Sequence, residues 1–207
     1  MLLRVWQLGL AALLLALGLV GGSPPIDQQP KVPTFTLTPP PLDSGAEVSA
    51  YRVPYSISPQ PVGIEIPAAG VAGDVQPVGM TDAVTMQVPS DIKVVGWFDR
   101  SVLPIADIGH TVLVGHRDGS KDPEGVFRNL ENVRVGDEIN VRDLSGRLID
   151  YVVTTVDLLS DDKFAQEAPW IFRVNGPHRL VLITCGGTYD RARGGYQANI
   201  VVTATRT

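Results

Sequence analysis

Cysteine is almost absent from this chain of 207 residues, because Cys185 is its only one. A single thiol excludes an intramolecular disulfide. The chain has only three histidines besides this cysteine, and this small number excludes a structural zinc site built from several cysteines and histidines. A chain of this length instead suits one domain with appended segments, and its core can form without cross-links.

Clusters of positive charge are absent as well. The chain has 17 Lys and Arg residues against 22 Asp and Glu residues, a net charge of −5, and its basic residues are scattered. Nucleic-acid-binding proteins concentrate basic residues on one face or stripe. The sequence therefore predicts no nucleic-acid partner.

Charge is also missing between Arg4 and Asp27. This stretch is near the minimum of about 20 apolar residues that spans a bilayer, although a cleavable signal peptide has the same pattern. We favour an uncleaved signal anchor, a membrane helix over residues 1–22. Because Arg4 lies on the short amino-terminal side, the rest of the chain is expected outside the cytoplasm. The expected localisation is the cell membrane, single-pass, or secretion if the segment is cleaved.

The remainder divides into a linker and a folded domain. Residues 23–61 contain ten of the seventeen prolines and predict a semi-rigid extracytoplasmic linker. From residue 62 to residue 207, short β-type runs alternate with turn residues, while helical periodicity is confined to Gly125–Leu130 and Lys163–Ala168. This pattern predicts an all-β barrel or sandwich with short helical turns. The predicted strands are Val62–Ile66, Ala83–Val88, Val94–Trp97, Thr111–Gly115, Glu138–Arg142, Leu148–Val156, Arg179–Thr184 and Ile200–Thr205.

Cys185 ends the apolar run Leu180–Thr184 and is followed by Gly186 and Gly187. The run reads as a buried strand, and two glycines let the backbone leave the sheet with nothing bulky near the sulfur. Exported proteins usually pair their cysteines or lack them, so a leftover thiol indicates reactivity. The alternative is a free thiol packed as a small hydrophobic side chain.

His116 stands in a matching position, directly after the predicted strand Thr111–Gly115. Imidazole titrates near neutrality and can accept or deliver a proton. If the two strands lie close together, His116 and Cys185 open onto the same rim. His110 begins the same strand and is expected at the surface or in a turn, and His178, in a turn after Pro177, is assigned no role.

Arg191 and Arg193 lie in the loop between Cys185 and the last predicted strand. A fixed guanidinium near a thiol can hold a carbonyl and stabilise a developing oxyanion. Alternatively, these arginines are solvated loop residues or ion-pair partners of Asp190.

Three segments carry a family resemblance: Thr-Val-Leu-Val-Gly-His-Arg-Asp at 111–118, Leu-Val-Leu-Ile-Thr-Cys-Gly-Gly at 180–187, and Tyr-Gln-Ala-Asn-Ile-Val-Val-Thr-Ala at 196–204. With them the chain resembles the sortases, the membrane-anchored cysteine transpeptidases of mainly Gram-positive cell surfaces. Thr-Cys-Gly-Gly and Gly-His-x-Asp are most similar to class F. The match runs from about residue 90 to the carboxyl terminus, and more faintly from residue 62.

The resemblance implies an eight-stranded sortase-type β-barrel over residues 62–207, with Cys185 as nucleophile and His116 as general acid/base. It implies cleavage of an LPXTG-type sorting signal between Thr and Gly, through a Cys185 thioester. The acyl group then passes to an amine of the cell envelope, such as a peptidoglycan precursor. Neither a cofactor nor a metal is implied.

One position departs from the pattern. Gln197 stands where class F relatives commonly have the arginine that acts at the oxyanion, so that role falls to Arg193, with Arg191 as the alternative. Gln197 also motivates a second hypothesis, a degenerate sortase-like barrel that binds a peptide or acts as a scaffold without turnover. A third, an L,D-transpeptidase, is disfavoured because that family has Ser-His-Gly directly before its cysteine, whereas this chain has Leu-Ile-Thr.

Overall fold

A computed structural model of the protein describes residues 59–81, 86–119 and 122–207. Its regular elements are eight strands and one α-helix: β1 (Pro61–Ile66), β2 (Val71–Val78), β3 (Val95–Phe98), β4 (His110–Val114), β5 (Glu138–Asp143), β6 (Leu148–Ser160), α1 (Asp161–Ile171), β7 (Arg179–Asp190) and β8 (Gly195–Arg206). The strands form a closed barrel in the order β1-β2-β3-β4-β7-β8-β6-β5. The predicted eight-stranded barrel is therefore confirmed.

The predicted membrane helix, residues 1–22, and nearly all of the predicted linker, residues 23–61, lie outside the described residues. Within the described ranges, no helix has the length and apolar character needed to cross a bilayer.

The burial of strand β7 on both faces explains why its sequence is apolar at consecutive positions. Leu180 and Leu182 belong to the core inside the barrel, whereas Val181 and Ile183 pack outside it against Phe164 of α1. A strand that is buried on both faces needs apolar residues at every position. This double burial holds the stretch leading to Cys185 rigidly in place.

Helix α1 follows β6 directly and is longer than the predicted Lys163–Ala168 turn. The Ser160 side chain caps its amino terminus by accepting from the Lys163 N–H at 3.4 Å, and Asp161 and Asp162 place negative charge in the first turn. Both features stabilise a helix start.

Strand β2 was not predicted from the sequence. It contains Gly73, Asp74 and Pro77, which are residue types depleted in strands. Of the predicted strand Ala83–Val88, residues 83–85 lie outside the described residues, and Met86 forms only an isolated bridge. The other seven predicted strands are confirmed, and β7 and β8 extend beyond their predicted ends into a long hairpin.

The expectation that His110 lies at the surface or in a turn is wrong. His110 is in β4 and is buried, with its ring Nδ1 donating to the Ile171 carbonyl at 3.2 Å and its edge against Trp170. The reason is tertiary, because the chain after α1 folds over the start of β4, where the His110 N–H donates to the Arg173 carbonyl.

His178 is buried as well, and its hydrogen bonds assign its tautomer. The Tyr151 hydroxyl donates to the Pro104 carbonyl at 2.8 Å and lies 3.0 Å from His178 Nε2. Since that hydroxyl has one proton, His178 Nε2 must be the donor to the tyrosine oxygen. Its buried Nδ1 has no hydrogen-bond partner among the described residues, so protonation there would create an unsatisfied N–H.

This geometry predicts acid destabilisation. Burial, aided by the nearby Arg206 and His110, lowers the pKa of His178 to about 4 from 6.5. As the pH falls, the unfolded chain takes up the proton on this histidine before the folded protein does. The free energy of unfolding therefore keeps its full value above pH 6.5 and declines by about 3 kcal/mol as the pH falls towards 4. Urea unfolding at pH 7 and pH 4.5 should show a smaller decline for His178→Gln than for the wild type. Equal declines would contradict this role for His178.

Candidate active site

The parallel pairing of β4 and β7 brings His116 and Cys185 to one edge of the sheet. Val114 is the register partner of Ile183, and His116 and Cys185 each lie two residues further along. The hydrogen bonding continues past the strand end, since the Gly115 N–H donates to the Ile183 carbonyl at 3.1 Å and the Thr184 hydroxyl donates to the Gly115 carbonyl at 2.9 Å. The two chains are therefore held together up to the residues before His116 and Cys185.

Gly115 is required at this crossing. A Cβ added to it would lie 2.6 Å from the Phe127 ring, which is fully buried. The Phe127 N–H also donates to the His116 carbonyl at 2.9 Å. The close approach of Phe127 therefore fixes where the chain emerges from β4 and where His116 begins.

The glycines after Cys185 act differently from the prediction, because the chain does not leave the sheet there. Strand β7 continues to Asp190, and the irregularity is a bulge between Gly186 and Tyr189. Gly187 has a φ of +71°, which glycine adopts readily, and the bulge bends the hairpin beyond Cys185.

Cys185 is partly buried on the outer side of the barrel. It packs against the outer apolar cluster that includes Val181 and Ile183, and its register partner on β8 is Asn199. By strand alternation, Cys185, Asn199 and Leu159, the partner of Asn199 on β6, face the same side of the sheet. The sulfur is therefore outside the barrel interior, at the edge where His116 emerges.

The surroundings keep the thiol protonated at neutral pH. Burial, followed by the carboxylates of Asp118 and Asp161, raises the pKa of Cys185 to about 11, and Arg117 opposes this rise. A thiol is a poor nucleophile until it loses its proton. Catalysis at this cysteine therefore requires a base that takes the proton during attack.

Among the described residues, the His116 ring has one nitrogen engaged and the other free. Its Nε2 lies 2.8 Å from the Pro89 carbonyl oxygen. A carbonyl only accepts hydrogen bonds, so in the neutral ring Nε2 holds the proton and Nδ1 is the free base. A thiol and an imidazole on neighbouring chain segments, with the imidazole fixed by a carbonyl, are groups that covalent catalysis can use.

The two candidate arginines lie further away. Arg191 and Arg193 are in the turn that closes the β7–β8 hairpin, where Asp190 pairs with Gly195. That pair is five residues beyond Cys185, about 16 Å along a strand. The Arg193 side chain is 72% exposed, and its Nε lies 3.6 Å from the Asp190 carboxylate. Neither arginine is brought to Cys185 in this structure.

The Gln197 side chain is engaged as well. The Gln197 side-chain amide donates to the Gly195 carbonyl at 2.7 Å.

Among the described residues, no group of three or more His, Cys, Asp or Glu side chains is arranged to hold a metal ion.

Sequence reasoning missed a set of contacts that join the segment after His116 to the hairpin that carries Cys185. The Tyr196 hydroxyl donates to Asp118, and the Arg117 guanidinium carbon lies 5.5 Å from the Tyr196 ring centroid. Arg117 also donates to both oxygens of Glu131 at 2.8 Å. The available signal was that Arg117 and Asp118 directly follow His116, within a segment already singled out.

A family model, the sortase domain, matches residues 64–207. The closed barrel, with a cysteine on one strand and a histidine just after the neighbouring parallel strand, is thus that of a cysteine transpeptidase. The chain belongs to the sortase family. A search of curated proteins gave no significant match.

Solved structures confirm the fold. The chain is similar to Streptococcus agalactiae sortase C1 in complex with MTSET, with 20% identity, a TM-score of 0.53 and coverage of 72% of this chain and 70% of that one. It is similar to Corynebacterium diphtheriae sortase A, with 21% identity, a TM-score of 0.53 and coverage of 70% and 59%. For Actinomyces oris sortase C-1 the values are 24%, 0.51, 70% and 72%.

The thiol environment generates a prediction that needs no substrate. The rate of alkylation of Cys185 by iodoacetamide should rise with pH up to about 11, because only the thiolate reacts. Asp118→Asn should move the midpoint to lower pH by removing a nearby negative charge. The matched control is Asp190→Asn, at the far end of the hairpin, which should leave the midpoint unchanged. A rate already maximal at pH 7 would contradict the buried, protonated thiol.

Proposed function

We propose that this protein is a membrane-anchored sortase, most similar to class F, that cleaves an LPXTG-type sorting signal between Thr and Gly. The acyl group is transferred to an amine of the cell envelope, such as a peptidoglycan precursor. The observation that supports the proposal is the parallel register of β4 and β7, which brings the chain at His116 next to the chain at Cys185. Family membership supports transpeptidation in general, and the motifs around the two residues support the class and the signal.

The first half-reaction forms the thioester. His116 Nδ1 takes the proton from the Cys185 thiol as the sulfur attacks the Thr carbonyl carbon. The tetrahedral intermediate collapses with cleavage of the Thr–Gly bond, and the leaving amine takes the proton from the His116 imidazolium. The products are an acyl thioester on Cys185, a free Gly amine and a neutral imidazole.

The second half-reaction returns the enzyme. The acceptor amine attacks the thioester carbonyl and gives its proton to His116, a new amide forms, and the Cys185 thiolate leaves and regains that proton. One amide is exchanged for another, so bond energy is conserved. The reaction therefore needs no nucleotide as an energy source.

Arg193 is the proposed oxyanion residue, with Arg191 as the alternative. The support is its place on the hairpin that carries Cys185, since any bending of that hairpin towards the peptide moves Arg193 with it. The role requires Arg193 to exchange its exposed contact with Asp190 for the substrate oxygen. An exposed ion pair of this kind costs little to break, about 1 kcal/mol or less.

Residues 1–22 are proposed as the anchor and residues 23–61 as the linker, which together hold the catalytic domain, residues 62–207, on the extracytoplasmic face of the membrane. The support is the uncharged stretch that follows Arg4 and the prolines after it. Sorting signals are presented there, and peptidoglycan precursors supply the amine.

A second candidate function is a sortase-like barrel that binds a sorting peptide without turnover. The observation that favours it is that the Arg193 and Arg117 guanidinium groups already pair with carboxylates. Arg193 pairs with Asp190, Arg117 pairs with Glu131, and Gln197 replaces the usual arginine. In that case the peptide would bind beside Cys185 and no thioester would form.

Mass spectrometry of the full-length protein with an LPXTG peptide and excess amine separates the two functions. The proposed function predicts a thioester on Cys185 and a transpeptidation product, both lost in Cys185→Ala. His116→Ala should slow thioester formation by about 10²- to 10⁴-fold, the usual range for a positioned acid/base. Peptide binding without a thioester, across several related sorting signals, would support the second function instead.

Alanine variants of the two arginines test the oxyanion assignment. Arg193→Ala should lower the rate of thioester formation by about 10²-fold, the typical loss for one oxyanion donor, while Arg191→Ala has a small effect. The two residues lie in the same exposed turn, so each is the matched control for the other. Equal and mild losses would show that neither guanidinium acts at the oxyanion.

A further inference from the structure

Two consecutive residues after His116 contact one side chain on the hairpin that carries Cys185. The Tyr196 hydroxyl donates to the Asp118 carboxylate, and the Arg117 guanidinium lies over the Tyr196 ring at 5.5 Å. Tyr196 and Asp118 are 78 residues apart in sequence. These contacts therefore join the segment that follows β4 to the hairpin of β7 and β8.

The hydroxyl remains a donor over the working pH range. Burial and the neighbouring Asp118 raise the pKa of Tyr196 above 10, so the phenol keeps its proton and the hydrogen bond to the carboxylate persists. A hydrogen bond to a charged acceptor is stronger than a neutral one.

The Tyr196 ring has a second aromatic contact. Tyr189, its register partner on β7, packs edge-on against it, with ring centroids 5.2 Å apart and an angle of 76°. Edge-to-face pairs of this kind contribute beyond their buried area. The ring is therefore fixed to the hairpin by Tyr189.

Arg117 is itself fixed by a third segment. Both of its terminal nitrogens donate to Glu131, in the short 3-10 helix Leu130–Asn132, and its carbonyl accepts from the Gly125 N–H at 3.1 Å. A bidentate pair restricts the guanidinium to one plane and position. Arg117 is thus held from both sides, by Glu131 and by Tyr196.

We propose that Tyr196 is a positioning residue, whose ring and hydroxyl hold Arg117 and Asp118 and thereby keep the His116 imidazole beside Cys185. The expected effect on the reaction rate rests on the proposed function, whereas the expected effect on the position of His116 does not. His116 leaves β4 two residues after the last strand pair, so the sheet alone does not fix its side chain. The Pro89 carbonyl holds the His116 ring directly. The contacts of Arg117 and Asp118 with Tyr196 hold the two residues that follow His116.

The first test removes one atom. Tyr196→Phe deletes the hydroxyl and keeps the ring contacts with Arg117 and Tyr189. A misplaced catalytic group lowers the rate even where binding is intact, so kcat for thioester formation should fall about 10-fold or more with KM nearly unchanged. The matched control is Tyr189→Phe on the same hairpin, whose hydroxyl has no hydrogen bond to a described residue and whose loss should leave kcat unchanged.

A double-mutant cycle with Asp118→Ala tests whether the hydroxyl acts through Asp118. If it does, the double variant should be no slower than the slower single variant, because both changes break one contact. Losses that multiply would overturn the proposal. So would a Tyr196→Phe enzyme with the kcat of Tyr189→Phe.

Histidine NMR of the protein without peptide gives a readout that turnover does not affect. The chain has three histidines, and His116→Gln identifies the signal of His116. Tyr196→Phe should broaden or split that signal while the signals of His110 and His178 stay sharp. A sharp, unshifted His116 signal would overturn the proposal, even if the variant had a lower Tm and a lower rate.

The two failures are distinguishable. If the wild type forms no thioester with any sorting peptide, the proposed function fails, and the His116 signal in Tyr196→Phe still decides the positioning role. If the wild type turns over and the signal does not change in the variant, the positioning role alone fails.

Discussion

The parallel hydrogen bonding between β4 and β7 is the constraint on which the site depends. Parallel strands require a long crossover connection, and here the connection includes β5, β6 and α1. As a result, the chain leaves β4 at His116 next to the part of β7 that carries Cys185. Apolar packing on both faces of β7 holds that edge in place, because its side chains are enclosed on the inner and the outer side of the barrel.

Around this edge the chemistry is divided among groups with distinct tasks. The partly buried thiol is kept protonated by burial and by nearby carboxylates, so it is inert until a base is present. The Pro89 carbonyl selects the tautomer of His116 that can serve as this base. A protonated thiol reacts slowly, so this arrangement makes the nucleophilicity of Cys185 depend on a neighbouring base.

Much of the fold and the central pair of the site could be predicted from the sequence, because they depend on local patterns. Apolar β-type runs between turn residues located seven of the eight strands, and a residue at the end of such a run located Cys185 and His116. The missing strand, β2, contains residues that disfavour strands, and it is formed by its pairing with β1 and β3. The burial of His110 and His178 likewise depends on distant parts of the chain, because His110 is covered by the end of α1 and the residues after it, and His178 contacts Tyr151 of β6.

The amino-acid sequence alone determined the class of fold, a β-barrel with a single thiol, and singled out Cys185 and His116 as the pair of residues to look for in it. Composition and short-range periodicity carry this information, since each strand needs only its own residues to be recognised. The tertiary structure alone decided which side chains meet. The hydrogen bond from Tyr196 to Asp118 and the Pro89 contact of His116 both follow from barrel closure and register. Such contacts leave no local signal, because they join positions that are distant in sequence.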